Sequence, residues 1–366
     1  MNVTSTQAYA ICIQAGVPVL WWGAPGIGKT TITYAIARSL KLSIVEQVCS
    51  TWDPTDVGLP IRNGEYFERV PPKWAYDCVK LHEEGGALLY LDEYSCTPPA
   101  VQAATLKIIA ERKCGDFSLP FNLPIAASAN PADQAAGGWD LAPPAANRWC
   151  HLDCSISADD WCEGMIAGFP DPKVEKLPKG WESLIPSMQA LVVAYIRRFP
   201  NHRLDVPKDE ESAGRAWPSP RSWVMLCRLL AAAESLGASD SIKLQLVRGT
   251  VGHPATAFMT FCENLDLPDP EILLADPTLY QHPARGDKAH AILGSVAAAV
   301  IAKNNKKRWE AGLAVMLSAA RQGGTDIAVI PARSLLKNQP AGSDVPDGVT
   351  TLFPMMHAAA LVGGTV

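Results

Sequence analysis

The chain is short of charge. Asp, Glu, Lys and Arg make up only 19% of its 366 residues, and the formal net charge is −5. A mildly acidic balance with no dense Lys/Arg block argues against a broad nucleic-acid surface, although a local basic pore stays open. The ten cysteines are scattered, and none forms a Cys-x-x-Cys pair. Cys150, His151, Cys154 and Cys162 cluster in sequence, but their spacing fits no zinc pattern. Residues 1–10 lack the basic start and cleavage-like site of a secretory leader. The expectation is free, mostly buried thiols in a reducing cytoplasm. The longest apolar stretch, Ala289 to Ala302, is bracketed by Lys288 and Lys303 and is too short to span a bilayer. It is expected to be a buried helix, with no membrane partner. There is no internal repeat.

Apolar residues are plentiful at 48%, enough for two or three cores. Residues 6–15 have the pattern of a helix stopped by Gly16, and Val17 to Trp22 that of a short buried strand. Helical spacing follows over Thr30 to Leu40, then a strand over Leu42 to Val48. Residues 52–73, rich in Pro, Gly and Asp, suggest an inserted loop or short hairpin. Further helices are expected over Trp74 to Glu83 and Pro99 to Arg112, and a continuous strand over Ala87 to Leu91. Cys114 to Asn130 suggests two strands with a turn near Leu119 to Asn122, the second being Ile125 to Ala129. This β-α-β-α-β order predicts a three-layer α/β domain with a parallel sheet. Strand signal fades from about residue 158. Helices are expected over 185–199 and 221–236, a surface loop over 200–220, and a partly helical, Ala-rich remainder whose segment 338–350 is irregular.

Gly23-Ala24-Pro25-Gly26-Ile27-Gly28-Lys29-Thr30 satisfies G-x-x-x-x-G-K-[ST], with a buried strand before it and a helix after it. Glycines let the backbone wrap phosphates with N–H groups pointing inward, and the helix start adds positive potential. Lys29 can reach β- and γ-phosphates, Thr30 can offer its hydroxyl to Mg2+, and Thr31 follows in the same helical turn. Ala87-Leu88-Leu89-Tyr90-Leu91-Asp92-Glu93 is an apolar strand ending in two acids. Asp92 suits Mg2+ and Glu93 suits polarisation of an attacking water. A second acid fits hydrolysis better than transfer to a substrate hydroxyl.

Together these motifs resemble the AAA+ ATPases, specifically the MoxR-type branch, over residues 17–235. Asp53-Pro54-Thr55-Asp56-Val57-Gly58 resembles the opening of that branch's helix-2 insert, and Tyr66-Phe67-Glu68-Arg69-Val70-Pro71-Pro72 its exit. The strands around Asp116 to Ile125 resemble the hairpin before the first sensor. Ser128-Ala129-Asn130-Pro131 resembles sensor 1, which implies that Asn130 bonds the γ-phosphate or the water. Leu141 to Trp149 resembles the stretch carrying the arginine finger, with Arg148 at the matching position and Asn-Arg-Trp where Asp-Arg-Phe is commoner. Ser219-Pro220-Arg221 resembles sensor 2 at the start of a lid helix, with Arg221 acting within its own subunit or across an interface.

The resemblance implies an AAA+ nucleotide-binding domain over 1–157, an α-helical lid over 158–238 and a helical C-terminal extension over 239–366. It implies ATP and Mg2+ as cofactors, ATP hydrolysis between subunits of a homo-oligomeric, hexameric ring, and chaperone-like remodelling of a protein. The family's partner is a separate von Willebrand factor A domain protein, since this chain has no Asp-x-Ser-x-Ser run of its own. Residues 240–366 either dock that partner or extend the lid. Two other classes stand beside this reading. A nucleic-acid-translocating motor would need basic pore elements, and the turn Leu119 to Asn122 has none. A non-hydrolysing switch or scaffold has no use for Glu93, Asn130 and Arg148 together.

Overall fold

A computed structural model of the chain describes residues 3–131, 134, 139–265, 267–346 and 348–349. The chain divides into two compact units, Met1–Pro178 with Leu204–Thr256, and Lys179–Arg203 with Ala257–Val366. These divisions do not fall at 157/158 and 238/239. Residues 204–256, counted partly with a lid in the sequence reading, share the unit of the sheet. The end of the expected extension, 350–366, lies outside the described residues, as does 347.

The first unit is built on a parallel five-stranded sheet. Its elements begin with α1 (Val3–Ala15), β1 (Val19–Trp22), α2 (Lys29–Leu40) and β2 (Ser43–Val48). A hairpin of β3 (Leu59–Asn63) and β4 (Tyr66–Val70) follows, then α3 (Lys73–Glu84), β5 (Ala87–Asp92) and α4 (Pro99–Glu111). Next come β6 (Lys113–Cys114), β7 (Phe117–Ser118), β8 (Ile125–Ala129), α5 (Pro143–Ala146), β9 (Cys150–Asp153) and α6 (Ala158–Ala167). The strand order is β2-β5-β8-β1-β9. β1 and β8 are buried at every residue, as continuous apolar runs must be when a parallel sheet is covered on both faces.

Register aligns the carboxyl ends. Trp22 pairs with Ala129 on one side and Asp153 on the other, and Val48 pairs with Asp92. The residues that follow these ends, Gly23, Asn130, Cys154 and Glu93, therefore emerge along one edge of the sheet. That edge is where open α/β sheets bind ligands.

Two sequence expectations change. The turn expected near Leu119 to Asn122 is present, with Leu123 N–H donating to the Pro120 carbonyl at 3.0 Å, but it leads from β7 to β8; the turn that closes the hairpin is Gly115-Asp116, between β6 and β7. Gly115 takes φ 61° against the Arg69 carbonyl, a position closed to a side chain. Asp116 fastens the two hairpins together: Arg69 N–H donates to its carboxylate at 3.0 Å. The second change is β9, unread in the sequence because His151 interrupts its apolar pattern. The insert over 52–73 proves to be the hairpin alternative, opened by a short turn in which Asp53 and Asp56 cap each other's backbone.

A one-turn helix, Glu210–Ala213, and two longer ones, Pro220–Ser235 and Asp240–Val251, follow in this unit. Of the longer two, the first is started by reciprocal caps between Ser219 and Ser222. The second presses Gly249 directly onto the His151 carbonyl and Cys150. The second unit is helical. Its centre is the helix Gly286–Ala302, the predicted apolar stretch, buried on most of its surface. Gly294 admits Ala190 of the helix Ile185–Arg198. Among the described residues no helix is long and apolar enough to cross a membrane.

Gly249 gives a check on this packing. A methyl group there would collide with the β9 backbone. Gly249→Ala is expected to lower stability by about 1–3 kcal/mol, despite alanine's better helix propensity. Urea unfolding followed by circular dichroism measures it.

Candidate nucleotide site

The loop after β1 is shaped by glycine. Gly26 and Gly28 have φ of 80° and 99°, in the left-handed region, and Gly28 ends the loop as the cap of α2. Gly23 N–H donates to the Ala129 carbonyl at 3.1 Å, tying the loop to β8. Ala24, Pro25 and Gly26 are exposed, Gly23, Ile27 and Gly28 half-buried, and Thr31 faces solvent from the first turn of α2.

Lys29 turns back into this loop. Its Nζ donates to the carbonyls of Gly23 (2.7 Å) and Ala24 (3.1 Å) and to Asn130 Oδ1 (2.7 Å). Burial lowers its pKa, and the fields of Cys154, Asp92 and Glu93 oppose that effect. The ammonium is held by neutral oxygens alone, so its charge is left for an anion above the loop.

Thr30 and Asp92 meet beside it: Thr30 Oγ1 donates to Asp92 Oδ2 at 2.9 Å. The other carboxylate oxygen accepts from Ser128 Oγ, from Glu93 N–H (2.9 Å) and from Tyr90 OH (3.2 Å). A hydroxyl and an oriented carboxylate are hard oxygen donors, the type that Mg2+ takes. Glu93 adopts φ 55° and ψ 36°, left-handed for a non-glycine residue, which swings its side chain out of the strand direction. Its carboxylate accepts a hydrogen bond from Ser50 Oγ. Asn130 is fixed at its backbone: its N–H donates to Ser95 Oγ at 3.0 Å, and Ser95 Oγ donates to its carbonyl at 3.1 Å.

Arg148 stands elsewhere. It precedes β9, at the amino end of a strand whose carboxyl end neighbours Gly23. Four strand residues at ~3.3 Å each separate the two edges. Its Nη1 donates to the Pro144 carbonyl, and its buried Nε has no hydrogen-bond partner among the described residues. Burial lowers its pKa, and the positive field of Arg221 lowers it further. Arg221 is exposed and bonds to none of the described residues. The two are brought together by Asn147, which donates to the Trp217 carbonyl (2.9 Å) and accepts from Ser219 Oγ (2.5 Å). Predicted site residues thus fall into two groups: Lys29, Thr30, Asp92, Glu93 and Asn130 at one edge, Arg148 and Arg221 at the other.

Three features were not read from the sequence as part of the site. Ser50 and Ser95, the partners of Glu93 and Asn130, are ordinary serines whose roles come only from pairing of distant elements. Ser128 lay in the quoted Ser-Ala-Asn-Pro run without a role. Third, Trp22 Nε1 donates to His151 Nδ1 at 2.9 Å, while the Arg215 guanidinium lies 3.8 Å from the Trp22 ring centre. Arg215 also reaches Asp153 at 3.5 Å. His151 Nε2 donates to the Ala146 carbonyl at 2.9 Å, so the ring is neutral with its proton on Nε2. A cavity of about 550 Å3 opens here, lined by Ser5, Asp153, Ser155, Arg215, Gln245 and Arg248 among others.

No protein-family model matches the chain, and no curated protein does. Among the solved structures that match is a provisionally assigned ATPase from Cytophaga hutchinsonii ATCC 33406, which aligns with a TM-score of 0.46 and 17% identity, over 72% of this chain and 92% of its own. The chemistry therefore rests on the side chains just described.

The buried imidazole has a pH consequence. Burial pushes the His151 pKa from 6.5 down to about 4. Because the folded pKa lies below the unfolded one, the unfolded chain takes up the proton first as pH falls. His151 thus contributes stability in full above about pH 6.5, and loses it between about 6.5 and 4, by roughly 3 kcal/mol in all. His151→Gln is expected to flatten stability over that interval relative to wild type, measured by urea unfolding at stepped pH.

Proposed function

We propose that this chain is a Mg2+-dependent ATPase of the MoxR-type AAA+ kind, hydrolysing ATP between copies of itself and remodelling a protein client. The observation that carries the reading is the convergence of Lys29, the Thr30–Asp92 pair and Asn130 on one glycine-shaped loop. Loop amides and the start of α2 receive the phosphates of ATP, and Lys29 exchanges its carbonyl partners for phosphate oxygens. Thr30 and Asp92 would hold Mg2+, which would supply charge compensation for the phosphates. Glu93 leaves Ser50, orients a water and accepts its proton as the water oxygen attacks the γ-phosphorus; the bond from that phosphorus to the β–γ bridging oxygen breaks, its electrons stay on the bridging oxygen, and ADP and inorganic phosphate leave. Asn130, steadied by Ser95, holds the γ-phosphate or that water. The nucleoside lies toward Cys154 and the cavity beside Trp22, whose Arg215 and Arg248 offer stacking and hydrogen-bond donors.

The charge growing on the γ-phosphate meets a guanidinium from a second copy. Arg148 stands at the wrong edge of its own sheet for its own loop, and its Nε has no partner among the described residues. Arg221, beside it, belongs in this reading to the same donated surface and acts across the interface. A hexameric ring is the assembly the family resemblance favours, with a separate von Willebrand factor A domain protein as its partner. The nucleic-acid motor is less well supported: the β6–β7 turn carries Asp116 rather than a basic residue.

Three variants separate the parts. Lys29→Ala is expected to abolish nucleotide binding in a fluorescent-nucleotide titration. Glu93→Gln is expected to bind normally and to hydrolyse about 100-fold or more slowly, in the range for loss of a general base. Arg148→Ala should retain binding and lose about 1,000-fold in turnover, measured as phosphate release. Normal hydrolysis by all three would remove the site assignment.

A further inference from the structure

The helix α6 has an unusual position. Only Gly164 of its ten residues is buried. It packs extensively against no other helix or strand among the described residues. Its exposed side chains include Trp161 (50% exposed), Met165 (60%) and Ile166 (89%). Phe169 folds back on it, the ring lying where a side chain on Gly164 would sit. A helix this apolar and this bare is covered when the protein works.

Both ends of α6 are fixed. Before it, Cys154 N–H donates to the Trp22 carbonyl at 2.6 Å, next to Gly23. After it, Asp171 forms a two-pronged ion pair with Arg38 (2.6 and 3.1 Å), and the Pro172 carbonyl accepts from Ser39 Oγ at 2.9 Å. Arg38 and Ser39 belong to the last turn of α2. The stretch carrying α6 thus starts beside the phosphate loop and is pinned again at the far end of the loop's own helix, ~18 Å away.

We propose that α6 is a docking helix for a second copy of this chain, received on the surface that carries Arg148 and Arg221. This rests on the reading that a neighbouring copy completes the nucleotide site. Two observations select that occupant. A copy delivering Arg148 to the phosphate loop must come to the edge where α6 begins. Charge also matches: α6 carries Asp159 and Glu163 on exposed positions and no basic residue, whereas the Arg148–Arg221 surface holds two guanidinia that repel each other. Trp161, Met165 and Ile166 supply the apolar centre of the contact and the acids its rim. The two patches differ and lie at opposite ends of β9, so the contact is head-to-tail.

The test uses the full chain in the Glu93→Gln background, which retains ATP, and adds W161E/I166E. Light scattering after size exclusion with ATP and Mg2+ should give an assembly for Glu93→Gln and a monomer for the α6 variant. The variant should still bind fluorescent ATP within about twofold, which reports an intact fold. Without Glu93→Gln, W161E/I166E should lose the same share of hydrolysis as Arg148→Ala, about 1,000-fold. If it assembles and hydrolyses like the wild type, α6 serves a different protein and the proposal is overturned while the ATPase reading stands. If the Glu93→Gln chain itself stays monomeric with ATP bound, the shared-site reading fails and takes this proposal with it. A milder variant, Ile166→Ser, should weaken assembly several-fold and guards against misfolding of the double variant.

Discussion

Everything at this site follows from the parallel register around β1. Because β1 pairs in step with β8 on one side and β9 on the other, Gly23, Asn130 and Cys154 leave the sheet side by side. β5 lies one strand further on, and its end delivers Asp92 and Glu93 to the same edge. A register slip of one residue would turn every side chain to the other face, and would separate Lys29 from Asn130. The same register puts Arg148 at the opposite edge. Sheet geometry thus gathers the groups that would hold a triphosphate and, by the same pairing, keeps the nearest candidate for a finger away from them.

The second constraint is the state of the two charged groups inside the loop. Lys29 is held by carbonyls and by Asn130, and Glu93 by Ser50. Neither group is paired with its opposite, although each feels the other's field. A direct Lys29–Glu93 bridge would neutralise both and would have to be broken on binding. Neutral oxygen partners cost less to exchange and keep the charges apart. Ser50 lies just before the segment that becomes the β3–β4 hairpin, and that hairpin is clamped to β6–β7 through Asp116. Glu93 is therefore connected through a few residues of chain to the hairpin surface, where Tyr66 and Phe67 are exposed.

Much of this was legible in the sequence because local chemistry fixes it. The glycine spacing of the loop, the buried run before it and the acids closing β5 are each local statements, and each is found where the pattern put it. What was not legible depends on residues far apart in the chain. β9 escaped notice because its His151 looks polar; only the fold supplies the Trp22 indole and the Ala146 carbonyl that let it be buried neutral. The turn near Leu119 to Asn122 was legible and is there, but it joins β7 to β8, and the hairpin closes at an earlier turn. Gly115, with its positive φ and its contact with Arg69, is the residue that the geometry selects. Ser50 and Ser95 carry no signal of their own, since a serine becomes significant only when a distant carboxylate or amide faces it.

The two incomplete surfaces of the first unit constrain each other. Arg148 and α6 are attached to the two ends of β9, a four-residue strand at the edge of the sheet that pairs with β1 along its whole length, so no hinge lies between them. If copies meet head-to-tail as proposed, the angle between them would be set by the sheet and not by a flexible linker. A heterologous contact with a fixed angle closes into a ring only when that angle divides the circle, and otherwise winds into a helix. Adjustment has to come from parts less firmly held. α6 is one, standing clear of the body between two anchors. The start of the Pro220–Ser235 helix is another, since it meets the Arg148 segment through the Asn147 hydrogen bonds. A change in nucleotide state that altered assembly would be felt at these two places before it reached the strands.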